Sequence, residues 1–271
     1  MGAGKVFIIP TPISDADPGS VLSEKVIRTV HDLNTFFVEN IRTARRFLSS
    51  AGVRNIQDLR FEVLDKNTEP RFLEHLIHIV KKGEDVGIMS EAGCPGIADP
   101  GSGITILAHK YGIKVIPLSG PSSIFLALMA SGFNGQNFQF HGYLPINTEE
   151  RRKSILNLER MVYSKNQTQI FMETPYRNNK ILDALLRILR PDTLLCLAVD
   201  ITSDNEEIKT KSITEFFHPS SKDLYLQISK ERKEGRKPSS SYELILLNKD
   251  GRPITFSVIG SLLYDPNGQP I

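Results

Sequence analysis

The chain has 271 residues, of which 40% are hydrophobic and 24% charged, as in an ordinary globular protein with one large or two smaller domains. A net charge of +2 excludes a strongly basic nucleic-acid-binding chain, so any RNA contact requires a local basic patch. The two cysteines, Cys94 and Cys196, exclude a disulfide framework and favour a reducing compartment. The apolar run after the N-terminus is too short for a signal peptide or membrane span, so we predict a cytoplasmic protein without a membrane segment.

Short apolar runs alternate with segments of helical period, which is typical of an α/β protein with a mostly parallel sheet. In the first part we predict strands at 5–9, 35–38, 61–64, 85–89 and 114–118, and helices at 21–33, 42–50, 69–82 and 104–111. A second series has helices at 122–131, 149–164, 176–190 and 223–233, and strands at 137–144, 168–172, 194–199 and 242–247. We therefore predict α/β domains at 1–118 and 119–249, followed by a peripheral tail at 250–271.

Five predicted strands are followed by loops rich in Gly, Pro and small hydroxyl side chains, with a few carboxylates. Ligands in open α/β sheets bind outside the carboxyl ends of the strands. The loop 90–103, SEAGCPGIADPGSG, is much longer than most loops in α/β units, which favours a functional role. Glycine and proline hold a backbone close to a ligand, and a helix starting near Ser122 and Ser123 offers free N–H groups. Such a lining suits an amphipathic, zwitterionic ligand.

Several common catalytic motifs are absent from the sequence. There is no G-x-G-x-x-G after the first strand, no G-x-x-x-x-G-K-[ST], no H-E-x-x-H and no G-x-S-x-G. The histidines are scattered, and Cys94 has no histidine placed to activate it. The sequence therefore argues against a common dinucleotide enzyme, a P-loop kinase, a zinc hydrolase and a serine hydrolase, and we expect no metal.

Six segments in order resemble motifs of the tetrapyrrole-methylase-like S-adenosylmethionine-dependent methyltransferases. The closest resemblance is to the bacterial ribosomal RNA small subunit methyltransferase I family, which 2′-O-methylates a cytidine. The segments are PTPISDA at 10–16, VENIRT at 38–43, SEAGCPGIADPG at 90–101, SGPS at 119–122, GYLP at 142–145 and METPYR at 172–177.

This resemblance implies two α/β domains of the tetrapyrrole methylase type, with S-adenosylmethionine in the cleft between them, a homodimer and no metal. It also implies that a set of small and apolar residues binds the cofactor. These residues are Thr11, Pro12, Ser90, Glu91, Ala92, Gly93, Cys94, Ile97, Gly120, Pro121, Ser122, Ser123, Leu144, Met172 and Ala198.

Two Glu–Arg pairs are the catalytic candidates. A ribose hydroxyl is a poor nucleophile until it loses its proton, so a nearby base would help. Glu39 with Arg42, and Glu173 with Arg177, follow predicted strands and are candidates for proton removal and acceptor positioning. Glu39 and Arg42 could instead form a structural ion pair or a helix cap, and Glu173 could instead cap the helix that follows it. Glu91 is better suited to accept hydrogen bonds from the cofactor.

The methyl acceptor is the open question, because the chain departs from the family pattern at several positions. Glu91 and Asn40 each replace an Asp, Ser14-Asp15 replaces Gly-Asn, and Val199 and Ser203 replace an Arg and a Lys. The leading hypothesis is 2′-O-methylation of a ribose in small-subunit ribosomal RNA. The alternatives are a small-molecule, tetrapyrrole-like acceptor and a non-catalytic relative that binds cofactor or RNA. Basic groups at 151–153 and 230–237, the latter in a predicted exposed loop, are candidate phosphate contacts.

Overall fold

The computed structural model of the chain describes residues 2–217, 219–233, 241–247 and 253–259. The helices of these residues are α1 (Pro18–Val21), α2 (Glu24–Asp32), α3 (Ile41–Ser50), α4 (Pro70–Lys81), α5 (Ser102–Lys110), α6 (Ser123–Ser131), α7 (Thr148–Lys165), α8 (Asn178–Ile188) and α9 (Pro219–Lys233). The strands are β1 (Lys5–Ile8), β2 (Thr35–Val38), β3 (Arg60–Val63), β4 (Val86–Met89), β5 (Lys114–Pro117), β6 (Phe138–Tyr143), β7 (Thr168–Met172), β8 (Leu194–Val199), β9 (Glu207–Ser212), β10 (Ser241–Leu247) and β11 (Pro253–Ile259).

The first part of the chain forms a five-stranded sheet in the order β3-β2-β4-β1-β5. Every neighbouring pair is parallel, which confirms the predicted α/β class. All four residues of β2 and all four of β4 are buried, because helices cover both faces of a parallel sheet. The carboxyl ends of all five strands therefore share one edge.

Two hydrophobic clusters fill the two faces of this sheet. Phe36 belongs to the cluster that includes side chains of α2 and α3, whereas Phe37 belongs to the cluster that includes α4 and α5. Successive residues of a strand point to opposite faces, so one Phe-Phe pair supplies both layers. Helix α3 is thus anchored by its apolar side, with Ala44, Phe47 and Leu48 buried.

Glycine at position 87 is required by the packing of the central strand. A Cβ there would lie 2.5 Å from Ile9 Cδ1 and 2.9 Å from Phe36 Cδ1. Both neighbours are fully buried, so neither can move into solvent.

The chain divides into two compact units. The first contains residues up to Ala127 together with Ala198–Glu207, and the second contains Leu128–Leu197 and the described part of Ile208–Ile271. In the second unit β6 and β7 are parallel, and a core cluster includes Ile155, Leu185 and Ile213. Strands β10 and β11 form an antiparallel pair. The predicted domain limits at 118 and 249 stay predictions.

Three local predictions need correction. The helix predicted at 21–33 is interrupted, because Leu22 and Ser23 are extended and Ser23 occupies the position before α2, where serine is favoured. The helix predicted at 176–190 begins with a 3-10 turn, Pro175–Arg177. Strands β9 and β11 were not predicted, since the polar sequence EIKTKS of β9 lacks an alternating apolar pattern. Strand β11 lies in the predicted tail, and residues 234–240 of the predicted basic loop lie outside the described residues.

We expect Gly87→Ala to lower the free energy of unfolding by about 1–3 kcal/mol, as overpacking of a filled core does. Urea denaturation followed by circular dichroism measures the change. Gly135→Ala is the control, because nothing lies within 4 Å of a Cβ at that position. Equal stability of the two variants would contradict the packing argument.

Candidate functional site

The loops that follow β1, β4 and β5 meet at the carboxyl edge of the five-stranded sheet. The N–H of Thr11 donates to the carbonyl of Gly93 at 2.9 Å, and the N–H of Gly93 donates back to Thr11 at 3.1 Å. The Cys94 thiol donates to the carbonyl of Pro121 at 3.4 Å. Two backbone hydrogen bonds and one from the Cys94 thiol therefore join three of the segments predicted to bind the cofactor.

The long loop after β4 depends on its glycines for its shape. Gly93, Gly96 and Gly101 have φ values of 75°, 81° and 128°, in the region where a side chain is strained. Ala98 also has a positive φ, 63°, although it carries a side chain. The N–H of Gly96 donates to the carbonyl of Pro100 at 3.2 Å, so the loop folds back on itself. The loop with the sequence SEAGCPGIADPG therefore has a defined backbone conformation that its glycines make possible.

Gly120 is needed for contact between two of these loops. A Cβ at this position would lie 2.3 Å from Cβ and Cγ of Pro10. The loop after β5 therefore lies directly against the loop after β1. This role differs from the cofactor contact predicted from the sequence, and the two are compatible.

A second group of polar side chains lies where β2 ends and α3 begins. Asn40 caps α3, accepting hydrogen bonds from the N–H groups of Arg42 and Thr43 at 2.9 and 3.3 Å. Thr43 Oγ1 donates to Glu91 Oε1 at 3.1 Å, and the Glu91 N–H donates to Glu39 Oε2 at 3.4 Å. The predicted residues Glu39 and Glu91 are thus brought together, and Thr43 is a neighbour that sequence reasoning missed.

The charges at this edge are predominantly negative. Burial raises the pKa of Glu39, and the carboxylates of Asp99, Glu91 and Asp65 raise it further, while the hydrogen bond from Glu91 N–H opposes them. Burial also raises the pKa of Asp99, with Glu91 adding to the effect and a hydrogen bond from Ser90 opposing it. Several carboxylates therefore occupy a region where their mutual repulsion favours binding of a cation.

Cys94 shares this environment. Burial raises the pKa of its thiol, and the charge of Asp99 raises it further. A raised thiol pKa means less thiolate and a weaker nucleophile. This agrees with the expectation that Cys94 lines the loop without acting as a nucleophile.

The alternative reading of Glu39 and Arg42 as an ion pair is not seen in the described residues. Arg42 is exposed on α3, and the helix cap comes from Asn40. Asn40 replaces the aspartate of the family pattern, and it keeps the cap while removing one negative charge from an already acidic edge.

In the second unit, three predicted residues form one buried group. Arg177 Nη2 lies 2.9 Å from Glu173 Oε1 and donates to the Leu144 carbonyl at 2.9 Å. The side chains of Glu173 and Arg177 are 6% and 17% exposed, so this ion pair is well shielded. Thr174 Oγ1 is buried and finds no hydrogen-bond partner among the described residues. An unsatisfied buried hydroxyl indicates a place where a bound molecule could donate or accept.

The remaining predicted residues lie at loop or strand ends. In the first unit, Ser90 is buried, whereas Ala92 and Ile97 are exposed and Pro12, Ser122 and Ser123 are half-buried. Ala198 is near the end of β8, and Met172 ends β7 in the second unit. The segment after Ala198 reaches the loop after β1 through a 3.0 Å contact between the hydroxyls of Thr202 and Ser14. The cofactor roles of these residues stay predictions.

Comparison with known proteins decides the family. The model of the family described as "Tetrapyrrole (Corrin/Porphyrin) Methylases" matches residues 5–216 of the chain. The chain belongs to this family. It is therefore a methyltransferase, and the methyl donor is S-adenosylmethionine.

Individual relatives carry a more specific name. "Ribosomal RNA small subunit methyltransferase I" of Buchnera aphidicola subsp. Schizaphis graminum is 30% identical over 205 residues, 76% of this chain and 68% of the relative. The proteins of the same name from Vibrio cholerae and Pseudomonas aeruginosa are each 28% identical, covering 79% of this chain and 70% and 72% of the relatives. Among solved structures, that of the methyltransferase CobJ superposes with a TM-score of 0.55 at 16% identity, covering 78% of this chain and 87% of CobJ, which shows the same fold.

The residues present fit this cofactor. S-adenosylmethionine carries a sulfonium and an ammonium group, and the edge of the first sheet gathers Glu39, Glu91 and Asp99, where burial and the nearby carboxylates raise the pKa of Glu39 and of Asp99. The loops at 90–101 and 119–122 carry few large side chains, so their backbone N–H and C=O groups are accessible to a ligand. When bound, the cofactor supplies an electrophilic methyl group. In the described residues no three His, Cys, Asp or Glu side chains are grouped as a metal site would require.

Glu39→Gln should increase the urea midpoint of unfolding near neutral pH. The pKa of Glu39 in the folded protein is raised above its ordinary value of 4.5. The protonated carboxyl therefore stabilises the folded state below pH 4.5, and this stabilisation is lost as the pH rises through the folded pKa. The gain over wild type should therefore be larger at about pH 7 than at about pH 3.5. Glu69→Gln, an exposed carboxyl at the start of α4, is the control. A gain that does not change with pH would contradict the charge repulsion.

Arg177→Ala should lower the free energy of unfolding by about 3–5 kcal/mol, because it leaves the buried Glu173 carboxylate unpaired. The double variant Glu173→Gln/Arg177→Ala should recover part of that loss. Urea denaturation of the single and double variants forms a double-mutant cycle. Additive effects would show that the pair is not coupled.

Proposed function

We propose that this chain transfers a methyl group from S-adenosylmethionine to a ribose 2′-hydroxyl of small-subunit ribosomal RNA. The observation that carries the proposal is the agreement of the relatives. Proteins named "Ribosomal RNA small subunit methyltransferase I" from three bacteria align with 76–79% of this chain. The assembly of the loops at 10–16, 90–101 and 119–122 on one sheet edge supports it, because these are the segments that resemble the family motifs.

Glu39 is the proposed general base. The reaction forms an oxygen–methyl bond, breaks a sulfur–methyl bond and releases the hydroxyl proton, which needs an acceptor. Glu39 is half-buried, and its raised pKa makes it a stronger base than an exposed carboxylate. Thr43 and Glu91 then act as positioning residues, since Thr43 holds the Glu91 side chain and the Glu91 N–H holds Glu39.

Glu173 and Arg177 are proposed to position the acceptor rather than to remove its proton. Their ion pair is shielded, and Arg177 is also committed to the Leu144 carbonyl. The guanidinium group of Arg177 has further N–H donors, which can bind another hydrogen-bond acceptor. The buried Thr174 hydroxyl beside them is available for the same ligand.

The assembly and location follow from the same proposal. We propose a homodimer acting in the cytoplasm, where newly made ribosomal RNA is found. No helix among the described residues is long and apolar enough to cross a membrane.

Labelled methyl incorporation tests the function directly. The purified chain is incubated with labelled S-adenosylmethionine and small ribosomal subunits from a strain lacking this methylation, and label in a ribose 2′-O-methyl group is expected. Incorporation into a tetrapyrrole instead would favour the small-molecule alternative. Label in neither acceptor, with cofactor binding retained in calorimetry, would favour a non-catalytic relative.

Glu39→Gln should lower kcat by about 10²–10⁴-fold, the usual contribution of a general base. Binding of S-adenosylmethionine, measured by calorimetry, should persist at a lower affinity, because one carboxylate of the acidic edge is neutralised. Glu69→Gln is the matched control, because it makes the same change at an exposed carboxyl outside the site and should keep the wild-type kcat. Unchanged turnover in Glu39→Gln would remove the base role.

A further inference from the structure

The outer face of α3 is an array of arginines. The helix sequence IRTARRFLSS contains Arg42, Arg45 and Arg46, all exposed, while the opposite face buries Ala44, Phe47 and Leu48. Residues three and four apart share one face of a helix, so the three guanidinium groups form one patch. This arginine face, Arg42, Arg45 and Arg46, was not among the basic groups that the sequence analysis selected.

The arginine face is not balanced by acidic partners. Among the described residues, none of the three arginines forms a salt bridge, and α3 itself contains no Asp or Glu. Arg45 lies 5.3 Å from the centroid of the Phe61 ring, which orients its guanidinium without neutralising it. The positive charge of this face is therefore available to an anionic partner.

Helix stability does not account for these arginines. Cations are favourable near the end of a helix and unfavourable near its beginning, because the helix dipole is positive at the N-terminus. Arg42 is in the first turn of α3, which has no acidic residue, and the last turn has no basic residue. The charge distribution is thus opposite to the one that stabilises the helix.

The position of α3 relates this face to the candidate site. Asn40, the N-cap of the helix, directly follows Glu39, and Thr43 in the first turn donates to Glu91. The arginine face consequently begins beside the carboxylates assigned to chemistry. A polyanion lying on it would be held next to the acidic edge, which would otherwise repel it.

The basic group predicted at 151–153 is less suited to this role. Arg151 donates to the carbonyl of Ile146 at 2.9 Å, and Arg152 lies 3.4 Å from Glu149. Both are partly buried and committed to neighbours within the second unit.

We propose that the arginine face of α3 binds the phosphate backbone of the RNA acceptor and delivers the target ribose to Glu39. The proposal rests on the RNA methyltransferase function proposed above. Arginine suits phosphate because its planar guanidinium donates two parallel hydrogen bonds. Such contacts are independent of base sequence, so they supply affinity and register.

The test is the salt dependence of RNA binding. Each phosphate contact on a single strand contributes about 0.7 to the slope of log K against log salt, so Arg45→Gln/Arg46→Gln should make the slope shallower by about 1.4. Filter binding of purified small-subunit ribosomal RNA over a salt series measures it. The Arg45→Lys/Arg46→Lys variant keeps the charge and should recover most of the slope. Arg46→Gln alone, which spares the Arg45–Phe61 contact, should show about half the change.

The matched control is Arg71→Gln/Lys82→Gln, which removes the same charge from exposed positions at the two ends of α4, on the other face of the sheet. Its slope should equal that of wild type. Equal slopes for both double variants would overturn the proposal, as would a loss of binding to anionic lipid vesicles with RNA binding unchanged.

If the wild type methylates small subunits while the slopes are equal, the proposed role of the arginine face is wrong and the proposed function stands. If the slopes differ but no subunit is methylated, the function fails and the RNA contact stands.

Discussion

The first unit is organised around the paired hydrogen bonds between Thr11 and Gly93. They join the loop after the first strand to the loop after the fourth, whose strands are neighbours in the sheet. Because the contact uses backbone groups on both sides, it leaves the side chains of the long loop free to be small. The contact between Gly120 and Pro10 then adds the loop after the fifth strand. A sheet edge that is lined by peptide groups can recognise a nucleoside without bulky residues.

The acidic edge shows how stability and binding compete in this fold. Burial and the neighbouring carboxylates of Asp99, Glu91 and Asp65 raise the pKa of Glu39, and burial and Glu91 raise that of Asp99, so the protein without ligand carries an unfavourable charge arrangement. A cationic donor relieves that repulsion, and the relief adds to binding. The buried ion pair of Glu173 and Arg177 is a different solution, in which the carboxylate carries its own counter-ion. The acidic edge is suited to binding and releasing a cation, whereas the ion pair of Glu173 and Arg177 is suited to a fixed structural role.

The sequence predicted the architecture better than the contacts. Apolar runs such as TFFV and VGIM gave the central strands, because a strand buried on both faces must be apolar throughout. The ordered motifs gave the family and the main loops. Thr43 and Asp99 were missed, since a hydroxyl or a carboxylate acquires its role from neighbours that are distant along the chain. The strand EIKTKS was missed, and so were Arg45 and Arg46 of the arginine face, because periodicity alone does not show which polar residues lack partners.

The strand order has a consequence for synthesis of the chain. The first strand lies between the fourth and the fifth, and its hydrogen bonds are made to Val86–Ile88 and Lys114–Pro117. During translation its apolar residues leave the ribosome long before either neighbour exists. The strand stays unpaired during this time. Nonlocal strand pairing is slow, and an unpaired apolar strand is prone to aggregation. The central position of β1 in the sheet can therefore be completed only after the residues of β5 have been made.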